Sequence, residues 1–105
     1  MDIDEIIDFI YPRNPAWEKM GASREAMKVY LSKPQFNFVV IRQNKEIVTV
    51  GIYLKDKIHL HFLSVTSVKG NTIRAGLRHA IKKEKPKFVS WLMPDYRLFT
   101  KECEV

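Results

Sequence analysis

The sequence is poor in the residues that build disulfide scaffolds, fibres and flexible linkers. Its 105 residues include one cysteine, four glycines and five prolines. A single cysteine cannot form an internal disulfide, so packing must stabilise the fold and a reducing compartment is expected. Together with a hydrophobic content of 46%, these scarcities indicate a packed globule.

Long hydrophobic runs are also lacking. The apolar stretches, such as 38–41 and 47–54, are far shorter than the about 20 residues that span a bilayer. No basic-then-apolar leader opens the sequence. We therefore expect a cytoplasmic protein with no membrane partner, folded as a single domain over residues 1–105.

The net charge of +6 is unevenly distributed. Four acidic residues lie within the first ten positions, whereas the segment 69–87 is strongly basic. A basic segment attracts phosphate groups, on a nucleic acid or on a phosphorylated cofactor, but surface lysine and arginine also serve solubility. Charge alone leaves these interpretations open.

Periodicity predicts two helices before any strand. Isoleucines at helical spacing mark the first, over residues 2–10. Pro15 opens a short helical piece that ends near Gly21. Ser23 is the expected N-cap of the second helix, which runs to about Leu31 with Ala26, Val29 and Tyr30 facing inward.

From residue 36 the hydrophobic period changes from 3.6 to 2, which is typical of strands. Three runs, 36–41, 47–54 and 58–65, are separated by short polar turns and predict an antiparallel meander. Gly51 interrupts the second run, where we expect a bulge. A helix with a stripe formed by Arg74, Arg78 and Lys82 follows, and then a strand over 88–93. This strand–helix–strand unit predicts a right-handed crossover between parallel strands. The expected class is α+β.

This order of elements resembles the GNAT N-acetyltransferase superfamily over roughly residues 2–93. In that family a Gln/Arg-x-x-Gly-x-Gly/Ala loop binds the pyrophosphate of acetyl-coenzyme A through backbone N–H groups. Here Lys69, Gly70 and Asn71 start the matching loop, and Ile73 and Ala75 occupy its last two small positions. A β-branched residue in place of glycine should widen or distort this loop.

The resemblance implies acetyl-coenzyme A as cofactor and an amine as acceptor. Physically, N–H groups at a helix start beside basic side chains attract phosphate. The cofactor-binding residues that the alignment implies are Leu63, Val65, Lys69, Gly70, Asn71, Thr72, Arg74 and Arg78.

Three residues are candidates for acid–base catalysis. His59 and His61 share one face of the third strand, where the resemblance implies a general base, although a structural pair is the simpler interpretation. Two histidines alone are too few for a stable metal site, so no metal is expected. Aligning residues 98–105 with the family helix that supplies a tyrosine puts Phe99 in its place, and Phe cannot donate a proton. Tyr96 is close but out of register.

The sequence ends where the family continues into two further strands, so we expect a domain truncated at its C-terminus. Two hypotheses follow. In the first, the domain binds acetyl-coenzyme A and transfers an acetyl group to an amine, as a minimal enzyme completed by homodimerisation. Alternatively, it is a non-catalytic module whose basic helix surface contacts a nucleic acid or an acidic protein.

Overall fold

The computed structural model describes the backbone of residues 2–68, 71–92 and 98–102, and the side chains of residues 2–68 and 73–91. Contacts divide the chain into two compact units, Met1–Phe36 and Asn37–Val105. In the described ranges no helix has the length and hydropathy needed to cross a bilayer. The prediction of a single domain stays a prediction.

Three helices form the first unit: α1 (Ile3–Ile10), α2 (Pro15–Lys19) and α3 (Arg24–Leu31). The two longer helices are those predicted, and α2 is the short piece opened by Pro15. The Ser23 hydroxyl caps α3 by accepting from the N–H of Ala26.

The predicted inward face of α3 is wrong. Val29 and Tyr30 are exposed, whereas Leu31 is buried. Two ion pairs join this helix to α1, Arg24 with Asp8 and Lys28 with Asp4. Positions 24, 28 and 31 lie on one face at helical spacing, so this face is turned toward α1.

A five-stranded sheet and one helix form the second unit. Their order along the chain is β1 (Asn37–Gln43), β2 (Glu46–Lys55), β3 (His59–Ser67), α4 (Asn71–Glu84), β4 (Phe88–Leu92) and β5 (Leu98–Glu102). The strands lie side by side in sequence order. Among the described strand pairs only β3–β4 is parallel, so the antiparallel meander and the parallel crossover are both confirmed.

The segment 98–102 is a strand, so aligning it with a family helix is wrong. It pairs antiparallel with β4 from Phe88↔Glu102 to Leu92↔Leu98. The physical reason is that a strand edge needs partners for its backbone groups, and a following strand supplies them.

Helix α4 covers one face of the sheet. Val39, Tyr53, Leu60 and Phe62 from β1–β3 form a buried core with Ala80 of α4 and Val89 of β4. Gly51 faces this core and pairs regularly with Val39 and Val65, so the bulge predicted at this glycine is wrong. Its role is steric: a Cβ at residue 51 would lie 2.7 Å from Cγ1 of Val39 and 3.3 Å from the Phe62 ring.

Gly51→Ala should therefore lower the free energy of unfolding by about 1–3 kcal/mol, the usual effect of overpacking a core. Urea denaturation measures this change. The matched control is the same substitution in a Val39→Ala background, where most of the clash is removed and the effect should be much smaller. Equal effects in both backgrounds would contradict this explanation.

Candidate functional site

The parallel pairing of β3 with β4 is short. It runs from His59↔Phe88 to Phe62↔Trp91, although β3 continues to Ser67. Beyond Trp91, no described residue of β4 is in register with β3. The two strands therefore share only the first half of β3.

A bulge lies at the point where this pairing ends. The β2–β3 register passes from Tyr53↔Phe62 directly to Ile52↔Ser64, so Leu63 is an extra residue that the β2 register skips. A bulge bends its strand and increases the local twist. The end of the β3–β4 pairing and the bulge of β3 therefore coincide at Leu63.

Helix α4 begins beside the far end of β3. The Val68 N–H donates to the Val48 carbonyl at 3.0 Å, which holds the end of β3 against β2, and α4 starts at Asn71. Asn71 lies in the helix rather than before it. Three hydrophobic side chains in this stretch are exposed, namely Leu63, Val68 and Ile73. Apolar surface and the first N–H groups of a helix therefore occur together along the chain here.

The basic stripe of α4 faces solvent. Gly76 lies against the sheet, where an added Cβ would be 3.3 Å from Cγ2 of Thr49. Arg74 and Arg78 are each rotated by about 200° from Gly76 around the helix axis, and both are exposed. Arg74 lies in the first turn, so its guanidinium group is the one nearest the helix start.

The two histidines of β3 meet at a buried serine. Nε2 of His59 lies 2.6 Å from the Ser90 hydroxyl, and Nδ1 of His61 lies 2.9 Å from the same oxygen. Ser90 is fully buried, whereas both imidazoles are half-buried. Ser90 was not among the site residues predicted from the sequence, because its position opposite His61 depends on the β3–β4 register.

The turn before β3 fixes the start of this strand. The Asp56 carboxylate accepts from the N–H groups of Ile58, at 2.9 Å, and His59, at 2.8 Å. These two hydrogen bonds lower the pKa of Asp56 below its ordinary value, with a smaller contribution from the charge of His59. The carboxylate thereby anchors the backbone of His59.

Several other predicted site residues lie wholly or partly outside the described part of the chain. Lys69, Gly70 and Tyr96 lie outside the described residues, as do the side chains of Asn71 and Thr72. Val65 is half-buried on β3 and packs against the core of the second unit. Within the described part of the chain, no three His, Cys, Asp or Glu side chains are grouped so that they could hold a metal ion.

Neither protein-family models nor curated protein sequences match this chain. Solved structures do. It is similar to the aminoglycoside 6'-N-acetyltransferase from Enterococcus faecium, with a TM-score of 0.56 and 12% identity over 85% of this chain and 53% of that one. It is also similar to an aminoglycoside 6'-acetyltransferase type Ii, with a TM-score of 0.57 and 14% identity over 85% of this chain and 62% of that one.

The chain has a GNAT-like fold. At these identities the likeness shows the fold alone, and it agrees with the resemblance noted in the order of elements. The GNAT-like chain spans between half and two thirds of the length of these acetyltransferases.

The contribution of the Asp56 carboxylate to the stability of the fold should depend on pH. Because its pKa is lowered in the folded state, this carboxylate stabilises the fold fully above the pKa of the unfolded chain, about 4, and loses this effect as pH falls through the folded value. Asp56→Ala should therefore lower stability at pH 7, and its difference from the unmodified chain should shrink at low pH.

Chemical denaturation at several pH values measures this difference. Asp56→Asn is the matched control, because it keeps a carbonyl acceptor for the two N–H groups but cannot titrate. A gap between Asp56→Ala and the unmodified chain that stays constant down to about pH 2 would contradict the assigned role.

Proposed function

We propose that β3 and β4 separate beyond the Leu63 bulge, and that this GNAT-like domain binds acetyl-coenzyme A in the opening between them and transfers the acetyl group to an amine. The observation that carries the proposal is the end of the β3–β4 pairing at this bulge, in a fold shared with acetyltransferases. Acetyl-coenzyme A supplies an activated thioester, whose carbonyl carbon is open to attack by an amine.

The residues around the opening fit the parts of this ligand. The exposed side chains of Leu63 and Val68 offer apolar surface to its pantetheine arm. The first N–H groups of α4 and the nearby Arg74 suit a diphosphate, because helix N-termini and guanidinium groups favour anions. Lys69, Gly70, Asn71, Thr72 and Arg78 complete the proposed phosphate site, and Val65 lies on the strand that leads to it.

The proposed chemistry forms a bond between the amine nitrogen and the acetyl carbon and breaks the bond from carbon to sulfur. The amine must lose a proton in the process. His61 is our candidate base, since it lies two residues before Leu63, whereas His59 is two residues further from the bulge. Tyr96 is the proposed donor of a proton to the departing thiolate.

A second candidate function uses the basic stripe without catalysis. Arg74, Arg78 and Lys82 are exposed along one side of α4, as a contact surface for a nucleic acid or an acidic protein would require. Nucleic-acid binding would weaken steeply with rising salt. For acetyl transfer we also propose a homodimer, in which a second copy completes the acceptor side.

Acetyl-coenzyme A binding separates the two candidates. Isothermal titration calorimetry should show saturable binding with one site, and Arg74→Glu should weaken it about tenfold to a hundredfold by removing a charge-assisted contact. Lys83→Glu is the matched control, because it makes the same charge change about 13 Å further along α4. Absence of binding, or equal weakening by both variants, would refute the proposed site.

Acetyl transfer has its own test. The rate of thiol release should be measured with a panel of small amines that includes an aminoglycoside. His61→Ala should lower kcat by about 10²–10⁴, the usual contribution of a general base, and leave acetyl-coenzyme A binding unchanged. Thiol release that is unaffected by His61→Ala would exclude this histidine as the base.

A further inference from the structure

The Ser90 hydroxyl has more hydrogen-bond partners than it has protons to donate. Its hydroxyl oxygen lies within hydrogen-bond distance of one ring nitrogen from each of two histidines, at 2.6 Å and 2.9 Å. The hydroxyl carries one proton, so it donates to only one of them. If the second imidazole also presented an unprotonated nitrogen, its lone pair would face a lone pair of the Ser90 oxygen. The second imidazole must therefore donate an N–H to this oxygen.

The tautomers of the two rings are therefore linked. When Ser90 donates to Nε2 of His59, Nδ1 of His61 carries the proton that Ser90 accepts, and Nε2 of His61 is left bare in the neutral ring. When the hydroxyl turns to His61, the arrangement is reversed and Nδ1 of His59 is bare. Full burial of Ser90 keeps water from replacing either partner.

We infer that His61, Ser90 and His59 form a proton relay, in which the Ser90 hydroxyl transfers protons between the two imidazoles. This inference rests on the proposed acetyl transfer. The relay has a direction along β3, because His61 is nearer the Leu63 bulge and His59 is nearer the Asp56 turn.

In one turnover, protons move along the relay in three steps. The amine proton passes to Nε2 of His61, the Nδ1 proton of His61 passes to Ser90, and the Ser90 proton passes to Nε2 of His59. His59 then releases its Nδ1 proton to water, and the departing thiolate takes a proton from its separate donor, which regains one from water. The starting tautomers are restored when Nδ1 of His59 takes up a proton and Nε2 of His61 releases one.

The relay is first tested in the ligand-free protein by ¹⁵N NMR of the histidine side chains at alkaline pH, where a neutral imidazole carries one N–H proton. We expect a proton on one, and only one, of Nε2 of His59 and Nδ1 of His61. Protons on both, or on neither, would overturn the relay. Because this measurement needs no acetyl-coenzyme A, its outcome is separate from that of the binding experiment.

Ser90→Ala gives the second test. It should uncouple the two tautomers and lower kcat at least about tenfold with KM for acetyl-coenzyme A unchanged, whereas Ser90→Thr, which retains the hydroxyl, should restore the tautomer pattern and the rate. Thr49→Val is the matched control, because it removes another buried hydroxyl, 2.8 Å from Ser67, without touching either histidine. Equal kcat values for Ser90→Ala and Thr49→Val would overturn the relay.

Discussion

The change in the pairing of β3 at Leu63 is the constraint on which the site depends. Before this residue, β3 is hydrogen-bonded between β2 and β4; after it, the strand continues along β2 while no described residue of β4 stays in register. One extra residue in a strand is enough for this, because a bulge bends and twists the strand that contains it. The proposed opening and the histidine pair both depend on β3.

Close packing keeps β3 and α4 in these positions. Gly51 leaves room for Val39 and Phe62 beneath the helix, and Gly76 lets α4 approach the sheet next to Thr49. At the other end of the helix, Lys55 on β2 pairs with Glu84 at 2.8 Å; burial, with a further contribution from this carboxylate, raises the pKa of Tyr53. The scaffold is therefore tightly packed on the helix side, while the polar cluster of His59, His61 and Ser90 lies on the strands.

Much of the fold could be predicted from local patterns. Period-2 and period-3.6 hydrophobicity predicted the meander, α4 and the parallel β4, because each of these elements buries one face. The rotation of α3 could not be predicted in this way, because the face that carries Leu31 also carries Arg24 and Lys28, which pair with acidic residues of α1. Strand β5 was missed because its side chains show no clear alternation, and its pairing depends on the available edge of β4. The bulge was assigned to Gly51 instead of Leu63 for a similar reason: register is a property of two strands. Likewise, the histidine pair was visible in the sequence, but Ser90 was not.

We expect acetyl-coenzyme A to bind beside Leu63 rather than on the basic face of α4. Backbone amide NMR during titration with the ligand tests this most directly. Saturable shifts should be concentrated at residues 63–68 and in the first turn of α4. Shifts confined to the exposed stripe of Arg78 and Lys82, or no shifts at all, would contradict the proposed site.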